Sequence, residues 1–389
     1  MAATVARLLE EHDPRRTPFA DFRRAQFECG LAWVTNPVKS GGLGRDDMVQ
    51  SLIDQELARA GAAPYPSTYL IGMELAAPIL SAFASPAQRE RWLPRLFTCE
   101  EMWCQLFSEP GAGSDLASLA TRAVRDGDAW MVNGQKVWTT MAHMADWGLL
   151  LARTDPTVAK HKGITFFVVD MHAPGVEVRP LRQITGDAEY NEVFLTDVVV
   201  PDDARIGEVG QGWRLAMSTL ANERATGESM LGSVESGPMA QTLALWRGSG
   251  GRRACGLRDE LIRCWIQNEV TRLTAQRARV SASAGTPGPE VSIGKVAASL
   301  TQQWTYDLCS RVRGADALLI DDYDMVQRTE LTQVRNDGDL NKALMASLAT
   351  SIGGGTTNIN KNVIAERVLG LPAEPSADKE LPWEQTRRS

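Results

Sequence analysis

A chain of 389 residues has room for two or three ordinary cores, and 43% hydrophobic with 23% charged residues is the balance of a folded globular protein. A formal charge of −7 leaves no basic stripe for nucleic acid, and no window reaches the ~20 consecutive apolar residues that span a bilayer. Six scattered cysteines (Cys29, Cys99, Cys104, Cys255, Cys264, Cys309) form no CxxC pair and no metal-ligand spacing with the four histidines, so reduced thiols and no structural metal are expected.

The N-terminal stretch lacks an apolar region and carries Glu10, Glu11 and Asp13, which argues against a mitochondrial leader and for a cytoplasmic location. Residues 1–99 read as a helical domain. Asp46–Leu57 has apolar residues at helical spacing, and Leu75–Leu80 belongs to another apolar segment. Ser85-Pro86 supplies an N-cap and a first-turn proline to a helix that is expected to end at Pro94.

The period then changes over residues 100–204, expected to be an antiparallel β barrel or sandwich. Trp130–Val132 and Val137–Thr139 flank Asn133-Gly134, which reads as a hairpin turn. Gly148–Ala152, Ile164–Val169 and Val193–Val200 are strand-like, being rich in β-branched and aromatic residues. Helical spacing returns over 205–372, with interruptions near 248–251, 285–289 and 337–338, and residues 373–389 read as a polar tail. The fold class is therefore α+β: a helical domain, a middle antiparallel β domain and a C-terminal helical bundle.

Two blocks of the middle region carry chemistry. Gln105–Asp115 (Gln-Leu-Phe-Ser-Glu-Pro-Gly-Ala-Gly-Ser-Asp) puts a small-residue loop behind a short apolar strand, letting backbone approach a ligand closely. Asn133–Thr140 (Asn-Gly-Gln-Lys-Val-Trp-Thr-Thr) follows it. A third block, Gly353-Gly354-Gly355-Thr356-Thr357-Asn358-Ile359 with Val363–Pro372, closes the pattern. In this order and spacing the three blocks resemble the acyl-CoA dehydrogenase family over residues 30–372.

The resemblance implies FAD-dependent oxidation of an acyl-CoA thioester to its 2-enoyl form, with electrons passing to an electron-transfer flavoprotein. That chemistry needs a base for the α proton, a donor to the thioester oxygen and a hydride acceptor supplied by the cofactor. Many relatives carry the base as Glu in the C-terminal loop, where this chain has Gly354. A second branch carries it on a helix, and Glu223 in Leu220-Ala221-Asn222-Glu223-Arg224 occupies that place. If the segment is helical, Trp213, Met217, Leu220, Gly227 and Leu231 share one apolar face, with Arg224 in its middle and Glu223 on its border. A charge there is costly unless paired or used, so a structural Glu–Arg ion pair is the competing interpretation.

The resemblance further assigns the Gly354 N–H to the thioester oxygen. It places Gln105, Phe107, Ser108, Trp138, Thr139 and Thr140 at the flavin ring, and Thr356 and Asn358 on the adenosine side. Ser114 and Arg224 are implied for the substrate. Arg247 and Ser249 stand nearest to an Arg-x-x-Phe-Gly block, but the phenylalanine is missing. Arg311-Val312-Arg313-Gly314-Ala315 replaces the family's Gln-x-x-Gly-Gly. Steroid-degrading actinobacterial members of the family include mixed oligomers in which one chain lacks part of the site. A homo- or hetero-oligomer, dimer or tetramer, is expected, and a non-catalytic partner subunit or an oxygen-using oxidase remain open alternatives.

Overall fold

A computed structural model describes residues 2–45, 49–227, 237–248, 255–283, 290–320, 322, 324–327, 340–375 and 378–386. Five helices come first: α1 (Ala2–Glu11), α2 (Phe19–Glu28), α3 (Gln50–Ala60), α4 (Ala77–Phe83) and α5 (Pro86–Phe97). Val5, Leu8, Phe22, Leu31, Val34, Ile53 and Leu57 form their shared core. Asp46, Asp47 and Met48 lie outside the described residues, so the helix read there is seen from Gln50 on.

Helix α5 begins as its sequence dictates. Ser85 accepts from the Gln88 N–H at 3.3 Å and donates its own N–H to the Gln88 side chain at 2.8 Å, a reciprocal capping box. The expected stop at Pro94 is corrected, because the helix continues through it to Phe97. One missing N–H costs a helix locally, and burial of Trp92, Leu93, Leu96 and Phe97 outweighs it here.

Eight strands follow: β1 (Trp103–Leu106), β2 (Arg122–Asp126), β3 (Ala129–Thr140), β4 (Trp147–Arg153), β5 (Ile164–Asp170), β6 (Val176–Pro180), β7 (Tyr190–Pro201) and β8 (Arg205–Ile206). They form one sheet in the order β6-β7-β3-β2-β4-β5-β8, with β1 beside β4. Most pairs are antiparallel, but β1–β4 and β2–β4 are parallel, the latter through the single register pair Arg122–Arg153.

Asn133-Gly134 is not a turn. Both residues run inside β3, and the chain reverses earlier, between β2 and β3, where Gly127 has φ +61°. Asn133 instead bonds Asp197 across an irregular step in the β3–β7 pairing, with both contacts at 3.0 Å. Gly134 is small for a tertiary reason: a Cβ there would stand 2.3 Å from Thr121 Oγ1 and 2.7 Å from its Cα. Close backbone approach, not turn geometry, selects the glycine.

The remaining helices are α6 (Gly212–Gly227), α7 (Pro238–Gly248), α8 (Arg258–Ser283), α9 (Glu290–Arg313), α10 (Leu340–Ala349) and α11 (Thr357–Val363). Two compact units result. Residues 1–181, 189–219 and 377–389 form the sheet unit, in which α1–α5 and the sheet share one body. Residues 182–188 and 220–376 form the helical unit, where α9 packs against α7, α8, α10 and α11. The stretch read as a polar tail is tied down in part: Trp383 is buried in the sheet unit.

Candidate functional site

Strand β1 leads straight into the Ser108–Asp115 loop, and a buried carboxylate pins that loop in place. One Glu109 oxygen, Oε2, accepts from the Ala120 N–H at 2.6 Å, while Oε1 accepts from the Thr121 N–H at 2.9 Å and from Lys136 Nζ at 2.8 Å. Lys136, fully buried, also donates to the Phe107 carbonyl at 3.0 Å. The Val137 N–H donates to the Ser108 carbonyl at 2.9 Å. The two sequence blocks are thus one bonded object, joined by an ion pair of high structural stake.

Burial works against both charges of that pair. For Glu109 the Lys136 charge and the hydrogen bonds from Lys136, Thr121 and Ala120 overcome desolvation and hold the carboxyl below its usual range. Desolvation dominates at Lys136 and lowers its ammonium despite Glu109. Sequence reading assigned neither residue a role, although each lies inside a singled-out block.

Next along β3, Trp138 has φ +61° and is 62% exposed. A bulky residue in the left-handed region costs on the order of 1–3 kcal/mol, and such strain concentrates at functional positions. Its ring meets Tyr190 edge-on at 6.2 Å. The strand loses register with β7 between Lys136 and Thr139, and within that step the Val137 N–H turns to the Ser108 carbonyl. Thr139 is wholly buried, its carbonyl accepts from Asn191, and its hydroxyl has no hydrogen-bond partner among the described residues. Thr140 is half-buried at the end of the strand.

Gln105 is half-buried on β1. Phe107 is buried, and its ring packs edge-on against Phe166 at 5.9 Å. Ser108 is half-buried, and Ser114 is exposed at the loop tip.

Helix α6 starts against the sheet, where a Cβ on Gly212 would fall 2.7 Å from Thr165 backbone. Its buried face is Leu215, Ala216 and Thr219, whereas Met217 is 36% exposed. The apolar stripe expected through Trp213, Met217 and Leu220 is therefore corrected; small Ala216 and Thr219 pack more closely than the larger side chains allow. Glu223 and Arg224 lie within this helix, and their side chains are outside the described residues.

The other assigned positions belong to the helical unit. Gly354 and Gly355 have φ of +65° and +88°. Thr356 caps α11 by accepting from the Ile359 N–H at 3.2 Å, and Asn358 is exposed on that helix. Arg247 is exposed in the last turn of α7, and Ser249 lies outside the described residues. Among the described residues no cluster of His, Cys, Asp or Glu could hold a metal, and no helix is long and apolar enough to cross a membrane.

Sequence models of the acyl-CoA dehydrogenase N-terminal, middle and C-terminal domains match residues 1–100, 104–198 and 210–369. The acyl-CoA dehydrogenase IpdE1 of Mycobacterium tuberculosis is 38% identical over 349 residues, covering 89% of this chain and 86% of that protein. The chain belongs to the acyl-CoA dehydrogenase family. Acyl-CoA dehydrogenase FadE34 of the same organism is 43% identical over 337 residues, 85% of this chain, but the match spans only 43% of FadE34. Among solved structures, the Tcur3481–Tcur3483 steroid acyl-CoA dehydrogenase matches with a TM-score of 0.74 at 26% identity, covering 96% of this chain and 97% of that one. The ChsE4–ChsE5 complex of M. tuberculosis matches with a TM-score of 0.70 at 29% identity, covering 96% of each chain. Family membership accounts for the α+β architecture of helices about a mostly antiparallel sheet.

Proposed function

We propose that this chain is an FAD-dependent acyl-CoA dehydrogenase that converts an acyl-CoA thioester to the 2-enoyl thioester, with Glu223 as base and an electron-transfer flavoprotein as acceptor. The observation that supports it most is Trp138, an exposed indole on strained backbone beside the unpartnered hydroxyl of Thr139. An open aromatic face on strained backbone fits a flat heteroaromatic ring. In this reading Trp138 covers that ring, while Gln105, Ser108, Thr139, Thr140 and the backbone of Phe107 hold its polar edge. Arg247, Ser249, Thr356 and Asn358 serve the adenosine side. Bound flavin supplies the acceptor for hydride from Cβ.

The chain's own residues do the rest. Position 223 continues the helical row of Ala216 and Thr219, at i+7 and i+4 from these two buried residues. In this reading the Glu223 carboxylate takes the α proton. The Gly354 N–H donates to the thioester oxygen as negative charge develops, Ser114 contacts the pantetheine arm, and Arg224 sits near the thioester end. Likeness to a steroid acyl-CoA dehydrogenase favours a bulky acyl group. A cytoplasmic location goes with this reading.

Anaerobic addition of acyl-CoA thioesters to the yellow protein tests it: the flavin band should bleach, and Glu223→Gln should keep the band but lose the bleaching. Undiminished bleaching in that variant removes Glu223 from the role. A second reading, a partner subunit completing another chain's site, is favoured by the missing loop carboxylate at Gly354 and by the apolar stripe Ile262, Trp265, Ile266, Val270 and Leu273 left exposed on α8. Colourless protein that gains flavin only with a second chain would decide for it.

A further inference from the structure

Residues 378–386 reach the loop that follows the Gly111–Ser114 tip through a dense set of bonds. The Trp383 indole donates to the Ser118 carbonyl at 3.2 Å and lies 4.5 Å from the Arg153 guanidinium. Its backbone N–H donates to the Val158 carbonyl at 2.9 Å, and that of Glu384 to Pro156 at 3.1 Å. Pro382 makes a β-bridge with Ala159. Lys160 Nζ joins Asp378 at 3.0 Å to Asp115 at 2.9 Å, and Asp115 also accepts from the Ser118 hydroxyl at 2.5 Å.

Arg153 completes the arrangement from within. It is 2% exposed and donates to the Ala117, Leu119 and Lys160 carbonyls at 2.6, 3.1 and 3.0 Å. Three consecutive carbonyls, of Ala117, Ser118 and Leu119, are thus taken by Arg153 and Trp383. The next two amides, of Ala120 and Thr121, are taken by Glu109. The tip is strung between an inner carboxylate anchor and an outer one made from a segment more than 200 residues distant, Trp383 and Ser118 being 265 positions apart. Trp383 also lies over the buried Arg153 guanidinium, and a cation–π contact is strongest when so desolvated.

We propose that residues 378–386 form a strap that sets the geometry of the Gly111–Asp115 loop for the thioester's pantetheine arm, with Trp383, Lys160 and Arg153 as positioning residues. This rests on the dehydrogenase reading, which assigns Ser114 in that loop to the ligand. Binding order at the tip then depends on contacts remote from any reacting atom. A variant that loosens the strap raises KM and the Kd of CoA, while kcat for bound substrate changes little.

The test uses Trp383→Ala and Lys160→Met in the full chain, with Trp383→Phe keeping a ring on Arg153 but losing the bond to Ser118. Amide hydrogen exchange is followed at Ala112 and at Ser118 to Thr121, and the affinity of CoA itself is measured by calorimetry. Both loosening variants should exchange at least about tenfold faster at these amides and bind CoA about tenfold more weakly, with Trp383→Phe between them and wild type. Wild-type exchange in both variants overturns the strap, as does faster exchange with unchanged CoA affinity. Should Trp383→Ala fail to fold, Lys160→Met and Asp378→Asn carry the same comparison. CoA binding by the wild-type chain tests the dehydrogenase reading, whereas the ratio of variant to wild-type exchange tests the strap, so each can fail without the other.

Discussion

The two units bury different material. In the sheet unit, Trp92, Trp103 and Trp147 meet with ring centroids 6.0–6.2 Å apart, Phe166 and Phe167 fill the strands, and one ion pair, Glu109–Lys136, sits among them. In the helical unit the α8–α9 seam is lined with small polar groups: Asn268 donates to Thr305 at 3.0 Å, and Thr271 meets Thr301 at 3.2 Å. Large aromatics and a satisfied charge pair fix a unique arrangement by themselves. Short hydroxyl side chains let helices approach closely but contribute little apolar burial; on α8 Leu261 and Cys264 join a small apolar cluster with Met239 and Leu308, while Ile262, Trp265, Ile266, Val270 and Leu273 stand on the outer face. Among the described residues the α8 stripe stays exposed, an apolar area of the kind an oligomer would cover.

The largest effect should come from Lys136→Met, which strands the Glu109 carboxylate in the interior. A loss of about 3–5 kcal/mol is expected in denaturant titration, and a loss under 1 kcal/mol would break the contrast between the units. Gly134→Val comes next: its Cβ meets Thr121 backbone, and the expected cost is about 1–3 kcal/mol, with Thr121→Gly restoring part of it. Thr305→Val probes the helical unit and removes one hydroxyl, leaving Asn268 bonded to the Cys264 carbonyl at 2.9 Å. About 1 kcal/mol is expected there, and a value matching Lys136→Met would erase the distinction.

The smallest effect is a pH dependence in the sheet unit. His161 lies 4.8 Å from the Trp213 ring, and burial, then the Lys160 charge, lower its pKa against the opposing pull of Asp115. Folding therefore favours the neutral ring, so its contribution is complete above the unfolded value near 6.5 and declines as pH falls below it. Melting temperatures measured from pH 7 to 5 should fall less steeply for His161→Phe than for wild type.

Much of this was legible in the chain itself. Ser85-Pro86 with Gln88 writes its own helix start, because capping is a matter of neighbours three residues apart. The long strands announced themselves through β-branched and aromatic runs, and the Gln105–Asp115 and Asn133–Thr140 blocks marked the loop and strand now seen bonded together. Local pattern failed where a distant partner decided the outcome. Gly134 imitates a turn, but Thr121 explains it. Glu109 and Lys136 stand 27 positions apart with no periodicity to join them. The buried face of α6 follows Ala216 and Thr219, residues too small to weigh in a hydrophobic pattern. Trp383 lay in a stretch whose composition spoke only of solvent.

Gly354 carries one last consequence. Its φ of +65°, followed by +88° at Gly355, twists the loop into a hand that L-residues avoid at a cost of about 1–2 kcal/mol each. Returning an acidic group to this spot by a single codon change would thus meet resistance from the main chain before any proton could move.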